Sequence, residues 1–519
     1  MLKLFILLAC FILSSCMVGP NYKEPPKDIE EHWLKTKPPV KQTQVQNANW
    51  WNAFHDPILT KLILLGYQHN LTLQSTGVSV LQARAQLAQA VGDLYPQQQL
   101  MTGAYTFIRP GGSQAQGLLP NDYLSSNIGF NASWELDFWG KYRRAIQSNN
   151  ALFLASVAAY DSALVTLTAD IATTFIQIRT AEELIKVTRQ NIAVQTMSLK
   201  IANARYTSGE TSLLDVQQAK TQLAQTQSTL PGYVSNLQTQ KDALAVLLGT
   251  TPDKIDALIR DKKYRGIPRV SSVVSVGIPK EVIARRPDVY QSRMQAIAQL
   301  NAIGAVKAQL YPSLSLTGEF LFASNSIGTS SISDMFDWSN RAITAGPSLA
   351  WSLLNYGQIT NAVRVQDATF QQALLSYLNL VLKVQQEVQD NITQYLESRN
   401  AAAALARANN SAIKGTNLSL IRYKEGEAIY TTVLNSEQQQ LSVQVSLVNA
   451  RANVAQSLVS LYRSLGGGWQ IRGNNDVVPD SIKAEMAART NWGSLLKQQN
   501  HLPPVTNKQK IKQQYLPAW

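Results

Sequence analysis

The chain predicts a mixed α and β membrane protein built from two similar halves, each with two β-strands and one long helical hairpin. Three observations carry that prediction. The first is a repeat: Arg205-Tyr206-Thr207-Ser208-Gly209-Glu210 returns as Arg422-Tyr423-Lys424-Glu425-Gly426-Glu427, 217 positions further on. Trp134 to Gly140 returns more loosely as Trp351 to Gly357, and Leu248-Gly249 as Leu465-Gly466, both at the same offset of 217. Tyr95-Pro96 pairs with Tyr311-Pro312 at 216, and four matches so close in register point to duplication. The second observation is strict period-2 alternation in short segments. The third is heptad-like apolar spacing sustained over long proline-free stretches.

In chain order, residues 1–15 read as a secretory signal peptide. Lys3 supplies its positive charge, and Leu4 to Leu13 an apolar core too short to span a bilayer. Leu13-Ser14-Ser15-Cys16 resembles the lipobox of bacterial lipoproteins, which makes Cys16 the expected site of lipid attachment. Cys10 is lost with the signal, so the mature chain keeps one cysteine and no internal disulfide. Met17 is not the Asp that commonly holds lipoproteins at the inner membrane, so the expected destination is the outer membrane of a Gram-negative cell. The expected domains are a lipid-anchored segment (16–56), a first repeat (57–249), a connector (250–280), a second repeat (281–466), and a C-terminal segment and tail (467–519).

Within each repeat the strands come first. Ile128, Phe130, Ala132, Trp134 and Leu136 alternate with Asn127, Gly129, Asn131, Ser133 and Glu135. In the second half Leu314, Leu316, Phe320 and Phe322 alternate with Ser313, Ser315, Thr317 and Glu319, and Leu349, Trp351 and Leu353 with Ser348, Ala350 and Ser352. A less clean strand is expected near Leu100 to Ile108. Segments of about ten residues with one apolar and one small polar face suit a membrane β-barrel, though soluble sandwich strands alternate too. The stretches from Pro110 to Asn121 and from Ser324 to Asn340, rich in Gly, Ser and Asn, read as hairpin tips.

The helices follow. One apolar seam runs Leu164, Leu167, Ile171, Thr174, Ile178, Ala181 and Ile185; the other runs from Phe370 through Leu374, Tyr377, Val381, Val384, Val388, Ile392 and Tyr395. No proline falls between Gly140 and Tyr206, so about 65 residues could form one rod roughly 100 Å long. The other faces are mostly Gln, Asn, Ser, Thr and Ala, as expected where both sides of a helical wall meet water.

Composition narrows the function. The 47 Lys+Arg against 34 Asp+Glu give +13, spread along the chain and not gathered on one patch, so no nucleic-acid partner is expected. After the N-terminus no run of about 18 apolar residues suggests a helical transporter. The four histidines (His32, His55, His69 and His501) lack metal-ligand spacing, and no H-E-x-x-H, Walker A or G-x-S-x-G motif occurs. No enzyme, metal or cofactor is expected. Four strands cannot close a membrane barrel, and open edges in lipid would leave backbone groups unsatisfied. The chain must therefore oligomerise; a dimer, trimer or tetramer would supply 8, 12 or 16 strands.

Several segments carry a family resemblance: Cys16-Met17-Val18-Gly19-Pro20-Asn21-Tyr22, Trp50-Trp51-Asn52-Ala53-Phe54-His55-Asp56-Pro57, Arg285-Arg286-Pro287-Asp288-Val289, Ala305 to Ser313, and both Arg-Tyr-x-x-Gly turns. In order and spacing the chain resembles the TolC-like outer-membrane efflux proteins, specifically their lipoprotein branch of the NodT/OprM type, from Cys16 to about Trp469. The resemblance implies a homotrimer whose 12-stranded outer-membrane barrel continues into a periplasmic helical barrel, with an equatorial domain between them. It also implies a passive exit duct for small molecules, working with a periplasmic adaptor and an inner-membrane pump of the RND type. Protein secretion through the same kind of duct, or a lipid-anchored coiled coil without transport, are the alternatives.

Two sites follow from the resemblance. The hairpin tips, Arg205, Tyr206 and Gly209 with Arg422, Tyr423 and Gly426, match the family's adaptor-docking ends. The same residues read equally as helix C-caps. The periplasmic gate falls at Thr431 and Asn435, where relatives commonly carry a bulky apolar and an acidic residue. This chain departs from that pattern, because a ring of Asn cannot repel itself or bind cations as carboxylates do.

Overall fold

A computed structural model describes residues 17–34, 38, 40–42, 48–109, 111, 120, 122–260, 266–270, 274–327 and 331–497. The signal peptide, Cys16 and the tail beyond 497 lie outside the described residues. After a short strand β1 (Val40–Lys41) come α1 (Pro57–His69), α2 (Leu71–Gly92), β2 (Gln98–Ile108), β3 (Tyr123–Leu136), α3 (Lys141–Thr207) and α4 (Leu213–Leu247). A connector containing α5 (Ile255–Ile259) and β4 (Val274–Ser275) leads to α6 (Pro279–Arg285) and α7 (Pro287–Lys307). The second half continues with β5 (Ser313–Asn325), β6 (Arg341–Ala350), α8 (Gln358–Lys424) and α9 (Tyr430–Ser464), and α10 (Asp480–Arg489) follows.

Strands β2, β3, β5 and β6 form one antiparallel sheet in that order. Directly paired residues share a face. One face carries the row Met101, Phe130, Phe320 and Ile343 and the row Leu136, Leu314 and Leu349; the other carries Gln98, Ser133, Thr317 and Gly346. The alternation in sequence thus becomes one apolar and one largely polar surface. Among the described residues β2 and β6 are unpaired on their outer sides, and Pro347, which cannot donate a ladder hydrogen bond, sits on an edge strand as it must.

The last strand differs from its expected extent. Sequence alternation carried it through Trp351 and Leu353, but β6 ends at Ala350, opposite Ser313. The partner strand stops there because the preceding residue is Pro312, which has no N–H. Trp351 instead donates its indole N–H to the Leu310 carbonyl at 3.1 Å. The stretch read as a tip from Ser324 also holds ordered turns, with β5 reaching Asn325 and short 3-10 helices at Ile332–Phe336 and Trp338–Asn340.

The rods form as the spacing predicts. α3 and α8 have 67 residues each, about 100 Å at 1.5 Å per residue, and α4 and α9 have 35 each. Every member of the first seam, Leu164 to Ile185, is buried, as is the second from Tyr377 to Tyr395. α3 includes an 18-residue window apolar enough on average to cross a membrane, although no continuous apolar run of that length occurs in it. Just over half of that window is buried within the protein, so its apolarity serves the core.

The main core gathers distant parts of the chain around the middle of α3. Trp33, Val40, Trp51, Phe54, Leu62, Val274, Val276, Val477 and Val478 are all buried there with Ile171, Phe175, Leu458 and Leu465. Two polar staples hold it. Arg472 grips Asp161 through two bonds of 2.8 and 3.1 Å, both groups fully buried. Arg286, at the break between α6 and α7, binds Asp288 at 2.7 Å, Glu387 at 2.7 Å and the Ser464 carbonyl at 2.6 Å. This is the physical content of the Arg-Arg-Pro-Asp motif: Pro287 opens a helix, and Arg286 ties it to the second hairpin.

The N-terminal segment lies against the junction of strands and helices. Val18 donates its N–H to the Trp139 carbonyl at 3.0 Å, and Arg144 binds the carbonyls of Val18 and Gly19 and the side chain of Asn21. Gly19, at φ +103°, is required because a Cβ there would meet the Gly304 backbone at 2.5 Å. The residue after Cys16 thus sits beside Gly140, at the foot of the sheet.

Candidate functional site: the hairpin tips and the adjoining helix

Both helical hairpins turn in the same way. α3 ends at Thr207 and α8 at Lys424, and the chain then enters a left-handed glycine, Gly209 (φ +77°) or Gly426 (φ +82°). In the first tip the Gly209 N–H reaches the Tyr206 carbonyl at 3.0 Å and the Glu210 N–H the Arg205 carbonyl at 2.9 Å. In the second the Gly426 N–H reaches Tyr423 at 3.1 Å and the Glu427 N–H reaches Arg422 at 2.8 Å. These are paired Schellman closures, which satisfy carbonyls that the helix end leaves open. Each arginine also spans its own turn, Arg205 to Glu210 at 3.3 Å and Arg422 to Glu427 at 3.6 Å.

Beyond the turn the two tips part company. Tyr206 is 44% exposed, whereas Tyr423 is 1% exposed. Tyr423 donates its hydroxyl to Asp215 of α4 at 3.2 Å and packs edge-on to Tyr430 at 5.4 Å. Around it lie Ala202, Val216, Ala219 and Val433, an apolar cluster shared by both hairpins. Burial, with the Asp215 charge, pushes the Tyr423 phenol above its ordinary pKa. The Arg205 guanidinium stacks over the Tyr423 ring at 4.8 Å and donates to the Tyr423 carbonyl. Its side chain is 14% exposed, against 63% for Arg422. Arg205 and Tyr423 therefore bind the tips to each other, while Tyr206 and Arg422 face outward.

Thr431 and Asn435 lie one turn apart on the exposed face of α9. The opposite face buries Tyr430, Val433, Glu437 and Gln440 against the first hairpin. Glu427 is exposed beside Arg422. Glu437, the only acidic residue of α9, is turned inward and cannot share a face with Asn435. From the sequence, Glu437 lies about 200° round the helix from Asn435 and, with Glu427, is only an alternative source of an acidic ring; its burial was not expected. Its place in the 3-4 pattern of buried positions, Tyr430, Val433, Glu437 and Gln440, was the signal that could have found it.

The sequence profile of the family described as outer membrane efflux protein matches residues 64–250 and 278–467. Among curated relatives, Nodulation protein T of Rhizobium leguminosarum bv. viciae is 27% identical over 466 residues, covering 88% of this chain and 92% of its own. Outer membrane protein OprJ of Pseudomonas aeruginosa is 25% identical over 475 residues, covering 89% and 95%. The solved structure of the outer-membrane channel OprN superimposes with a TM-score of 0.80 at 27% identity, covering 88% of this chain and all of that one. With the profile matching both halves and the fold shared over nearly nine-tenths of the chain, this protein belongs to the outer membrane efflux protein family.

Proposed function

We propose that the protein is the outer-membrane channel of a tripartite efflux pump, a passive exit duct for small molecules such as drugs, toxic compounds or metal ions. The observation that carries this reading is the sheet. Its four strands have one apolar and one polar face and two unpaired edges, and they run directly into helices about 100 Å long. Such a sheet is stable in lipid only when further copies pair with β2 and β6. Three copies give 12 strands, and two helical hairpins from each would surround one lumen. Exposed apolar side chains on α8, among them Val365, Leu375 and Leu382, support the same closure by neighbouring copies. The core around Trp33, Val274 and Val477 would form the equatorial belt, and acylated Cys16 would hold the N-terminal segment at the membrane.

The tips then serve as the docking end for a periplasmic adaptor, with Tyr206, Arg422 and the two glycine turns presenting the surface. Arg205 and Tyr423 act from behind it by keeping the hairpins together. Thr431 and Asn435 line the periplasmic constriction, where neutral side chains replace the acidic ring. Energy and substrate choice come from an inner-membrane pump, which we place in the RND class. The test is reconstitution of the full chain in planar bilayers, together with gene deletion and susceptibility to antibiotics, dyes, detergents and metal ions. Detergent-resistant trimers that conduct ions, and a sensitised deletion strain, are the expected result. A protein that forms no conducting oligomer would leave a lipid-anchored coiled coil as the better description, and loss of a secreted protein without sensitisation would indicate protein export.

A further inference from the structure

The contact between the two hairpins holds a buried polar seam that neither docking nor the constriction uses. From α3 it takes Thr188, Asn191, Gln195 and Ser198, and from α9 Glu437 and Gln440, all buried. Apolar clusters lie on both sides: Leu184, Val187 and Val448 towards the core, and Ala202, Tyr423, Tyr430 and Val433 towards the tips. Part of the seam is satisfied, since Asn191 donates to Gln444 at 2.6 Å and Gln440 to Asn191 at 3.5 Å. Glu437 is not. It is 2% exposed, and neither carboxyl oxygen makes a hydrogen bond of normal geometry with any described residue. An ionised carboxylate in such a place is strongly disfavoured unless it is paired.

We propose that Glu437 is a proton-controlled latch between the hairpins: protonated, it lets α9 pack on α3, and ionised, it loosens that packing and moves the face that carries Thr431 and Asn435. The functional consequence rests on the channel reading above; the latch itself rests on the buried geometry.

The groups facing Glu437 are few. From α3 comes the Ser198 hydroxyl, and from its own helix the Tyr430 phenol, which burial and then the Glu437 charge push up to about 12. Asp215 of α4 and Tyr423 of α8 act on Tyr430 and not on Glu437. No cation faces it among the described residues that influence its titration. Burial, opposed only in part by Ser198, raises the Glu437 carboxyl from 4.5 to about 7. The sign follows from linkage. Below the ordinary value the carboxyl is protonated whether the hairpins are packed or parted, and packing carries no penalty. As pH rises from there towards 7 the parted state loses its proton first, so packing weakens progressively, and above 7 the penalty is complete.

The experiment is single-channel recording on the full-length protein between pH 5 and pH 8, paired with a disulfide probe across the hairpins. Gln438 donates to Gln222 of α4 at 2.9 Å, so Gln222→Cys with Gln438→Cys reports their proximity. Wild-type open probability should rise about tenfold or more across that range, and Glu437→Gln, neutral at every pH, should stay at the low value. Crosslinking should fall above pH 7 with Glu437 in place, relative to the same cysteine pair in the Glu437→Gln background. Identical pH profiles for the two backgrounds, in crosslinking or in a measurable current, would overturn the latch. Glu437-dependent crosslinking without current at any pH would leave the latch standing and remove the channel reading instead.

Discussion

The first and second hairpin tips share a motif, a turn geometry and an arginine–glutamate pair, yet they do different work. In the first tip the tyrosine points out and the arginine is drawn in; in the second the arginine points out and the tyrosine is drawn in. The inward members meet, Arg205 over the ring of Tyr423, and Asp215 receives the Tyr423 hydroxyl. A motif that occurs twice has thus been divided between holding the hairpins together and facing outward. Equal sequence gives equal turns, because the turn depends on a glycine at positive φ and on carbonyls three and five residues earlier. It does not give equal burial, which depends on what the neighbouring hairpin brings.

The largest break in this comparison should come from truncating the two tyrosines. Tyr423→Ala empties a buried aromatic site and removes one of the two hydroxyls that Asp215 accepts from, the other being that of Thr211, which should cost about 3 kcal/mol or more of local stability. Tyr206→Ala, at an exposed position, should stay within about 0.5 kcal/mol. Hydrogen exchange of the tip amides in the assembled protein would measure both, and similar protection losses would mean that the tips are equivalent after all.

Next come the glycines. Gly209→Val and Gly426→Val each force a β-branched residue into a left-handed conformation at about 1–2 kcal/mol. Among the described residues no side chain crowds Gly209, and only Arg205, at 3.6 Å, comes near Gly426, so the penalty is almost purely backbone at both. The double variant should assemble as an oligomer but lose export and adaptor crosslinking. Unchanged efflux would remove the tips from the docking surface.

The arginines sharpen the contrast further. Arg205→Ala removes a stacked, hydrogen-bonded cation and should destabilise the tips by about 1.5–3 kcal/mol. Arg422→Ala should change stability by no more than about 0.5 kcal/mol while still weakening adaptor capture. Thermal dissociation of the oligomer, set beside adaptor crosslinking yield, separates the two effects.

The smallest structural effect belongs to Asn435→Asp. On an exposed face the charge should leave stability nearly unchanged. In the trimeric channel proposed above it should bring three like charges around one axis, adding cation selectivity and an acidic pH midpoint. Ion selectivity measured in bilayers would show it. A wild-type channel already blocked by divalent cations at that midpoint would place the acidic ring elsewhere, with exposed Glu427 the next residue to replace. Glu437 is buried inside the protomer and would not serve.

What the sequence determined by itself is everything governed by short spacing. Alternation at two residues set the two faces of the sheet, and spacing at three and four set the buried seams of α3 and α8. The absence of proline let 67 residues run as one rod, and glycine at 209 and 426 fixed where the rods turn. Tertiary structure alone decided where β6 stops, because that depends on Pro312, just before the neighbouring strand β5. It alone decided that Arg286 is the staple between helices, since its partners Glu387 and Ser464 lie far along the chain. It also divided one repeated motif into a buried half and an exposed half, and hid Glu437 between hairpins. Local pattern specifies which face of a helix is apolar; only packing specifies which other helix, more than 200 residues away, comes to cover it.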